Sequence, residues 1–151
     1  MFILETRQEK RNHEDGFARF SGVELLAGYH VCDHFRIVRE WQGGSGEHGS
    51  HGLVLGPDNM LYAVCGNFTA VPKDLVDSSP HRNYADDLAL PRMEDGNGFG
   101  AGAKPPGGYV ARMDLDGKNI EMFSAGQRNT YDIGFNADGE LFGFEAHRSS
   151  S

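Results

Sequence analysis

A ten-residue segment occurs twice, eighty residues apart, and both copies have the pattern of a β-hairpin. Residues 53–62 read LVLGPDNMLY and residues 133–142 read IGFNADGELF. In each copy a short apolar run meets Asp-Asn or Asp-Gly, which tolerate the positive φ of tight turns, and a Leu-aromatic pair follows. Recurrence at this spacing predicts a blade-type repeat architecture, in which one repeat cannot bury its faces alone.

The composition supports an all-β fold. The chain has 21 glycines, 38% hydrophobic and 11% aromatic residues, and few stretches have an apolar stripe at helical spacing, which favours short strands joined by many turns. Its 151 residues are enough for one modest domain. Because the formal net charge is −8, we expect no nucleic-acid partner, whereas a small polar ligand is compatible with this surface.

The predicted strands surround one long stretch without periodicity. We expect strands in the following segments: 2–5, 23–26, 36–41, the first hairpin 53–65, 108–114 and 120–123, and the second hairpin from 133. Residues 68–107 are rich in Pro, Gly, Asp and Asn and include the run GNGFGAG at 96–102. A loop of this length is either functional or a solvated insertion, and the sequence leaves both explanations open.

The two cysteines and the N-terminus exclude several classes of site and segment. Cys32 and Cys65 are the only cysteines. Their separation neither demands nor excludes a disulfide, and two separate, half-buried thiols are the favoured interpretation. Neither lies in a C-x-x-C-H motif, so no covalent haem site is expected. Residues 1–4 are apolar but charged residues follow at once, so we expect neither a signal peptide nor a membrane-spanning segment.

The segments around the two hairpins resemble a known family. Residues 48–62, HGSHGLVLGPDNMLY, are similar to the signature of the six-bladed propeller dehydrogenases that use pyrroloquinoline quinone, the soluble glucose and aldose sugar dehydrogenases. Residues 108–117, GYVARMDLDG, followed by AGQRN at 125–129, resemble their next motif, which ends in Gly-x-Arg-Asn. The nearest resemblance is to the sorbosone-dehydrogenase-like propellers of planctomycete-type bacteria, described as membrane-bound dehydrogenases, which carry Gly-Glu-His-Gly and a stretch like PRMED at 91–95.

The resemblance implies a cofactor, a reaction and three site residues. It implies oxidation of a small sugar or alcohol by hydride transfer to pyrroloquinoline quinone, with calcium as a second cofactor and a periplasmic or exported location. His48 matches the general base of the family, Arg128 the cation beside the quinone oxygens, and Asn129 a residue that holds the cofactor. Elementary chemistry agrees, since hydride loss from a hydroxyl carbon requires a base for the proton and a cation for the developing charge.

Each of these residues also has an alternative explanation. His48 and His51 with Glu47 have a spacing that can supply three zinc donors, although the flanking glycines disfavour a helix that would fix them. Arg128 is also interpretable as a structural arginine bound to backbone carbonyls. Two further functions stay open: a non-catalytic interaction module, and a calcium-dependent lactonase-type propeller with three candidate ligands, Asn67, Asn129 and Asp132.

The chain also departs from the family. Six blades need several hundred residues, and where sugar dehydrogenases have Glu-Gln-Gly-Pro for calcium the chain reads EAHR at 145–148. We therefore expect about two blades of a six-bladed β-propeller with a long inserted loop, and an ending typical of a truncation or frameshift. Open sheet edges predict self-association or pairing with another chain. The expected division is a loosely matching blade remnant at 1–42, the first hairpin at 43–67, the inserted loop at 68–107, a second blade at 108–145 and a tail at 146–151.

Overall fold

The computed structural model describes residues 2–4, 36–43, 46–83 and 100–146. These residues form strands and turns without an α-helix, which confirms the all-β prediction. No helix in this part of the chain is long and apolar enough to cross a bilayer. Four features predicted from the sequence lie outside the described residues: the strand at 23–26, Cys32, the motif at 91–95 and the tail from 147.

The described residues contain eight strands, which make three antiparallel sheets. The strands are β1 (Phe2–Leu4), β2 (Arg36–Arg39), β3 (Ser50–Leu55), β4 (Leu61–Cys65), β5 (Gly108–Met113), β6 (Glu121–Gln127), β7 (Thr130–Phe135) and β8 (Leu141–Glu145). Strands β3, β4, β5 and β6 form a four-stranded meander, the first sheet, whereas β1–β2 and β7–β8 are two-stranded. A four-stranded antiparallel meander is the unit from which propeller blades are built.

The sheet boundary lies within the range expected to form one blade. Strands β5 and β6 continue the sheet that β3 and β4 begin, because β4 pairs with β5 over its whole length. The chain leaves this sheet after Gln127 and starts the next at Thr130. Residues 108–145 therefore contain the second half of one sheet and the first two strands of another.

The repeat in the sequence is also a repeat in strand register. Leu53 pairs with Ala63 in the first hairpin, and Ile133 pairs with Gly143 in the second, with the same offset of eighty residues. Three further pairs match in the same way: Ser50–Cys65 with Thr130–Glu145, Val54–Tyr62 with Gly134–Phe142, and Leu55–Leu61 with Phe135–Leu141. Equivalent positions of the two hairpins are therefore related by this offset.

The turns have the backbone that their sequences predict. Asn59 has φ 61° in the first hairpin and Gly139 has φ 80° in the second. Gly117, in the Asp-Gly turn between β5 and β6, has φ 72°, and a Cβ there would lie 2.6 Å from the carbonyl oxygen of Val38. The glycine therefore permits both the left-handed turn and the close approach of β2.

Both faces of the first sheet are covered, so its central strand β4 is buried throughout. On one face Tyr62, Val64 and Val110 pack against Ile133 of the second hairpin. The opposite face contains Leu53, Leu61, Ala63, Cys65, Tyr109, Ala111, Met113, Ile120 and Met122, with Trp41, Val71, Leu75 and Ala125 packed on it. Cys65 is a free thiol in this face, and burial raises its pKa to about 12.

The described start of the predicted loop is part of the core. The backbone N–H of Val76 donates to the carbonyl of Ile120 at 2.9 Å, and the hydroxyl of Ser79 accepts from the N–H of Met122 at 2.8 Å. The phenol of Tyr109 donates to the carbonyl of Ala70 at 2.7 Å. These bonds attach the segment to the outer edge and one face of the first sheet, so the described residues 68–83 are structural.

A polar network lies on the same face of the first sheet as Tyr62 and Val110. Arg112 donates to Asp58 at 2.9 Å and to Glu121 at 2.8 Å, and the phenol of Tyr62 donates to Asp58 at 2.9 Å. Burial acts to raise the pKa of Asp58, but hydrogen bonds from Arg112, Tyr62 and the N–H of Met60 bring it below its usual value. The network therefore favours the ionised carboxylate and joins the first hairpin to β5 and β6.

Replacing Ser79 with alanine should destabilise the fold. The N–H of Met122 would be buried without its partner, which lowers the free energy of unfolding by about 1–2 kcal/mol. Urea denaturation measures this change. The neighbouring Ser78 is exposed, and Ser78→Ala is the matched control, with an expected change of less than about 0.5 kcal/mol. Equal effects of the two substitutions would show that the segment does not dock on β6.

Asp58→Asn should remove a pH-dependent contribution to stability. Because the folded pKa of Asp58 is depressed, its contribution is present above the ordinary aspartate pKa of about 3.9 and is lost as pH falls through the lower folded value. The difference in unfolding free energy between wild type and variant should be constant near neutral pH and shrink in acid. Asp138, the equivalent residue in the second hairpin, supplies the control Asp138→Asn. A difference that did not vary with pH would contradict the network.

Candidate functional site

His48 and Arg128 occupy equivalent positions in the two repeats. His48 lies two residues before β3, and Arg128 lies two residues before β7. The packing of the second hairpin on the first sheet brings these two turns together, so that Nε2 of His48 lies 3.4 Å from Nη1 of Arg128. The structure therefore places side by side two residues that the sequence separates by eighty positions.

The imidazole of His48 is buried and held in one orientation. Only 3% of the residue is exposed, and its ring centroid lies 5.0 Å from that of Phe68. Nδ1 lies 2.6 Å from Oδ1 of Asn67. Because an amide oxygen only accepts hydrogen bonds, Nδ1 carries the proton in this arrangement. Nε2 is then the basic nitrogen, and it faces the guanidinium of Arg128.

Two contacts fix the backbone at Arg128. The carboxylate of Glu145, at the end of β8, accepts hydrogen bonds from the N–H of Arg128 and, at 3.3 Å, from the N–H of Asn129. The carbonyl of Arg128 accepts from the N–H of Asn67 at 3.0 Å. Asn67 thus contacts both candidate residues, His48 through its side chain and Arg128 through its backbone.

Asn129 is an internal bridge. It is 1% exposed, its Nδ2 donates to the carbonyl of Glu47 at 2.7 Å, and its Oδ1 accepts from Nε2 of His51 at 2.6 Å. Both ends of the amide are therefore bound to protein groups beneath the site. This geometry fixes the turn containing Glu47 and His48, and the role of Asn129 in holding a cofactor stays a prediction.

A glycine is required where these turns converge. A Cβ at Gly66 would lie 2.4 Å from the carbonyl oxygen of His48 and 2.6 Å from Oδ1 of Asn129. The N–H of Gly66 also donates to the carbonyl of Gly49 at 2.7 Å. A side chain at position 66 would therefore require the backbone of His48 and the amide of Asn129 to move.

The donors expected for a metal do not converge. Nδ1 of His48 is directed to Asn67 and Nε2 of His51 to Asn129, whereas Asp132 accepts from the N–H of Ile133 at 2.9 Å. Across the described part of the chain, no group of three His, Cys, Asp or Glu side chains is arranged to hold a metal ion. Among the described residues, His48, His51 and Glu47 therefore do not form the predicted zinc site.

The side chains of the site supply two groups that the implied quinone chemistry requires, a cation and a base. Pyrroloquinoline quinone is an anionic planar quinone, and Arg128 supplies a planar cation that matches such a group. His48 supplies a base at its side. Within the described residues these two groups of the site suit a quinone and its substrate.

Comparison with models of protein families, with curated proteins and with solved structures finds no match to this chain.

The sequence predicts no role at this site for the side chain of Glu145, and it indicates Asn67 only as a metal ligand. The Gly-Asn pair at 66–67 is a local turn signal, but nothing in it identifies His48 as the partner. The contact depends on the bend at the end of β4, and the Glu145 contact depends on the register of β7 with β8.

Asn129→Ala should destabilise the protein. The substitution leaves a ring N–H of His51 and the carbonyl of Glu47 without their partner, which lowers the free energy of unfolding by roughly 2 kcal/mol. Urea denaturation measures the loss. The exposed amide Gln42 provides the control Gln42→Ala, expected to behave as wild type. A change no larger than that of Gln42→Ala would show that Asn129 is not an internal bridge.

Proposed function

We propose that the turns before β3 and β7 form the acid–base and electrostatic part of a dehydrogenase site that oxidises a hydroxyl or hemiacetal group of a sugar or alcohol, with pyrroloquinoline quinone as acceptor. The observation that carries the proposal is the buried imidazole of His48, whose Nδ1 is bound to Asn67 while Nε2 lies 3.4 Å from Arg128. The resemblance to quinone-dependent sugar dehydrogenases supports the choice of reaction.

His48 acts as the general base. In the tautomer that Asn67 selects, Nε2 accepts the proton of the substrate hydroxyl, and the resulting imidazolium keeps its Nδ1–H bond to the amide oxygen. Asn67 thus orients the ring before and after proton transfer. The surrounding protein excludes water from the ring, since His48 is 3% exposed.

Arg128 supplies the positive charge of the site. Its contact with Nε2 is long at 3.4 Å, and an anionic group bound here attracts the guanidinium and leaves Nε2 to the substrate. Glu145 holds the backbone of Arg128, so that only the side chain has to move. The quinone, when bound, supplies a two-electron acceptor for the hydride that leaves the hydroxyl carbon. Calcium has no part in the proposal.

Binding of the quinone is tested first, because it is separable from turnover. Titration of the full chain with pyrroloquinoline quinone, followed by absorbance and protein fluorescence, should give saturable binding. Arg128→Gln should weaken that binding about tenfold or more, because a charge-assisted contact contributes about 1.5–3 kcal/mol. His81→Gln, at a residue that takes no part in the site's contacts, should bind as wild type. Equal binding by all three proteins, or none by wild type, would refute the proposal.

Turnover is tested with the quinone bound and a redox dye as final electron acceptor. Replacing the base, as in His48→Gln, should lower kcat for sugar oxidation by about 10²–10⁴-fold and leave quinone binding nearly unchanged. Asn67→Leu should lower kcat less and shift its pH profile, because the ring loses the group that selects its tautomer. Wild-type kcat in His48→Gln would eliminate the histidine as base.

A further inference from the structure

Two aromatic side chains of β8 are exposed at positions that are buried in the equivalent strand. Phe142 is 60% and Phe144 is 70% exposed. The repeat relates them to Tyr62 and Val64 of β4, which are 4% and 0% exposed because the second hairpin packs over them. The face of β7–β8 that carries Phe142 and Phe144 is therefore exposed, whereas the equivalent face of the first sheet is covered by the second hairpin.

The edge of β8 that lies away from β7 has no partner strand among the described residues, whereas the equivalent edge of β4 is paired. In the first sheet β4 lies between β3 and β5, and it pairs with β5 from Leu61–Met113 to Cys65–Tyr109. Among the described residues β8 pairs with β7 alone. An apolar strand with one unpaired edge is a site for the addition of another strand.

The strands β1 and β2 form the complementary half-sheet on the opposite side of the first sheet. Arg39 of β2 donates to the carbonyl of Gly117 at 3.2 Å, and Trp41, which follows β2, packs on the face remote from β7–β8. Strand β2 precedes the turn at His48 just as β6 precedes the turn at Arg128. By this order β1 and β2 correspond to β5 and β6, the two strands that β7–β8 lacks.

We propose that copies of this chain assemble head to tail, with the β1–β2 pair of one copy adding to the free edge of β8 in the next. The strand order β7-β8-β1-β2 across the interface reproduces β3-β4-β5-β6 within the chain. The partner is a second copy because the described β1–β2 and β7–β8 pairs correspond to the two halves of one four-stranded sheet. The first sheet of the incoming copy then covers Phe142 and Phe144, as β7–β8 covers Tyr62 and Val64.

The interface is heterologous, so it closes into a ring when the rotation between copies permits. The eight described strands of each copy make two four-stranded sheets, and propeller rings contain about four to eight such blades. The ring therefore closes with about two to four copies. Because His48 and Arg128 precede the first strand of each sheet, closure places the His48–Arg128 pairs of all copies around one central channel. The assembly does not rest on the proposed function.

Light scattering coupled to size-exclusion chromatography of the full chain tests the proposal. Wild type should have a mass of two to four chains. Phe144→Lys should have the mass of one chain, because a lysine in the covered face opposes assembly. Leu115, an exposed residue of the β5–β6 turn at 43%, gives the matched control Leu115→Lys, which should keep the wild-type mass. A wild type that remains a single chain at every concentration overturns the proposal and means that something else covers this face.

A second variant separates head-to-tail assembly from pairing of β8 with β8. Ile3→Pro removes a backbone N–H from β1 and should also give single chains, with far-UV circular dichroism showing that the first sheet is still folded. Mixing Phe144→Lys with Ile3→Pro should then give a two-chain species, since each copy retains the half that the other has lost. If Ile3→Pro alone keeps the wild-type mass, β1 is not part of the interface and the proposal is wrong.

Discussion

The packing of the second hairpin on the first sheet is the contact on which the rest of the described structure depends. Tyr62, Val64 and Val110 are buried on this face by Ile133 and its neighbours, and burial of side chains of this size contributes about 1.5–3 kcal/mol each. The same contact sets β7 beside β3, so the turns before these strands meet. Without it, His48 and Arg128 would lie on separate, solvated loops. The apolar contact between sheets thus creates the polar site at their edge.

Two asparagines fix the positions of these two turns relative to each other through hydrogen bonds. Asn67 orients one histidine and Asn129 binds the other, and both are also attached to the opposite turn, through Arg128 in one case and Glu47 in the other. The amide of Asn129 is buried and both donates and accepts, so its orientation is fixed, because turning it would leave buried polar groups without partners. Gly66 permits this arrangement by removing a side chain from the point of closest approach.

The internal repeat links the site to the proposed assembly. Among the described residues the first sheet has four strands, and the sheets on either side of it have two strands each. A two-stranded sheet that is packed on one face and paired on one edge exposes apolar surface and backbone hydrogen-bonding groups. This explains the exposed aromatic residues of β8, and it applies equally to the β1–β2 pair. In a closed ring every sheet would have the environment that the first sheet has within one chain.

Much of the fold was predictable from local patterns, and much of the site was not. Asp-Asn at 58–59 and Asp-Gly at 116–117 and 138–139 impose turns through short-range sterics, so the hairpins and the all-β class follow from the sequence itself. Leu61 and Leu141 occupy matching places in that pattern, which revealed the repeat. The sequence also indicated His48 and Arg128 through a resemblance. Only the tertiary structure decided that Asn129 is an internal bridge, that Asn67 selects the tautomer of His48, and that residues 68–83 dock on the first sheet. The physical reason is that hairpins depend on interactions a few residues apart, whereas these contacts join positions brought together by sheet packing, where burial determines which polar groups must pair.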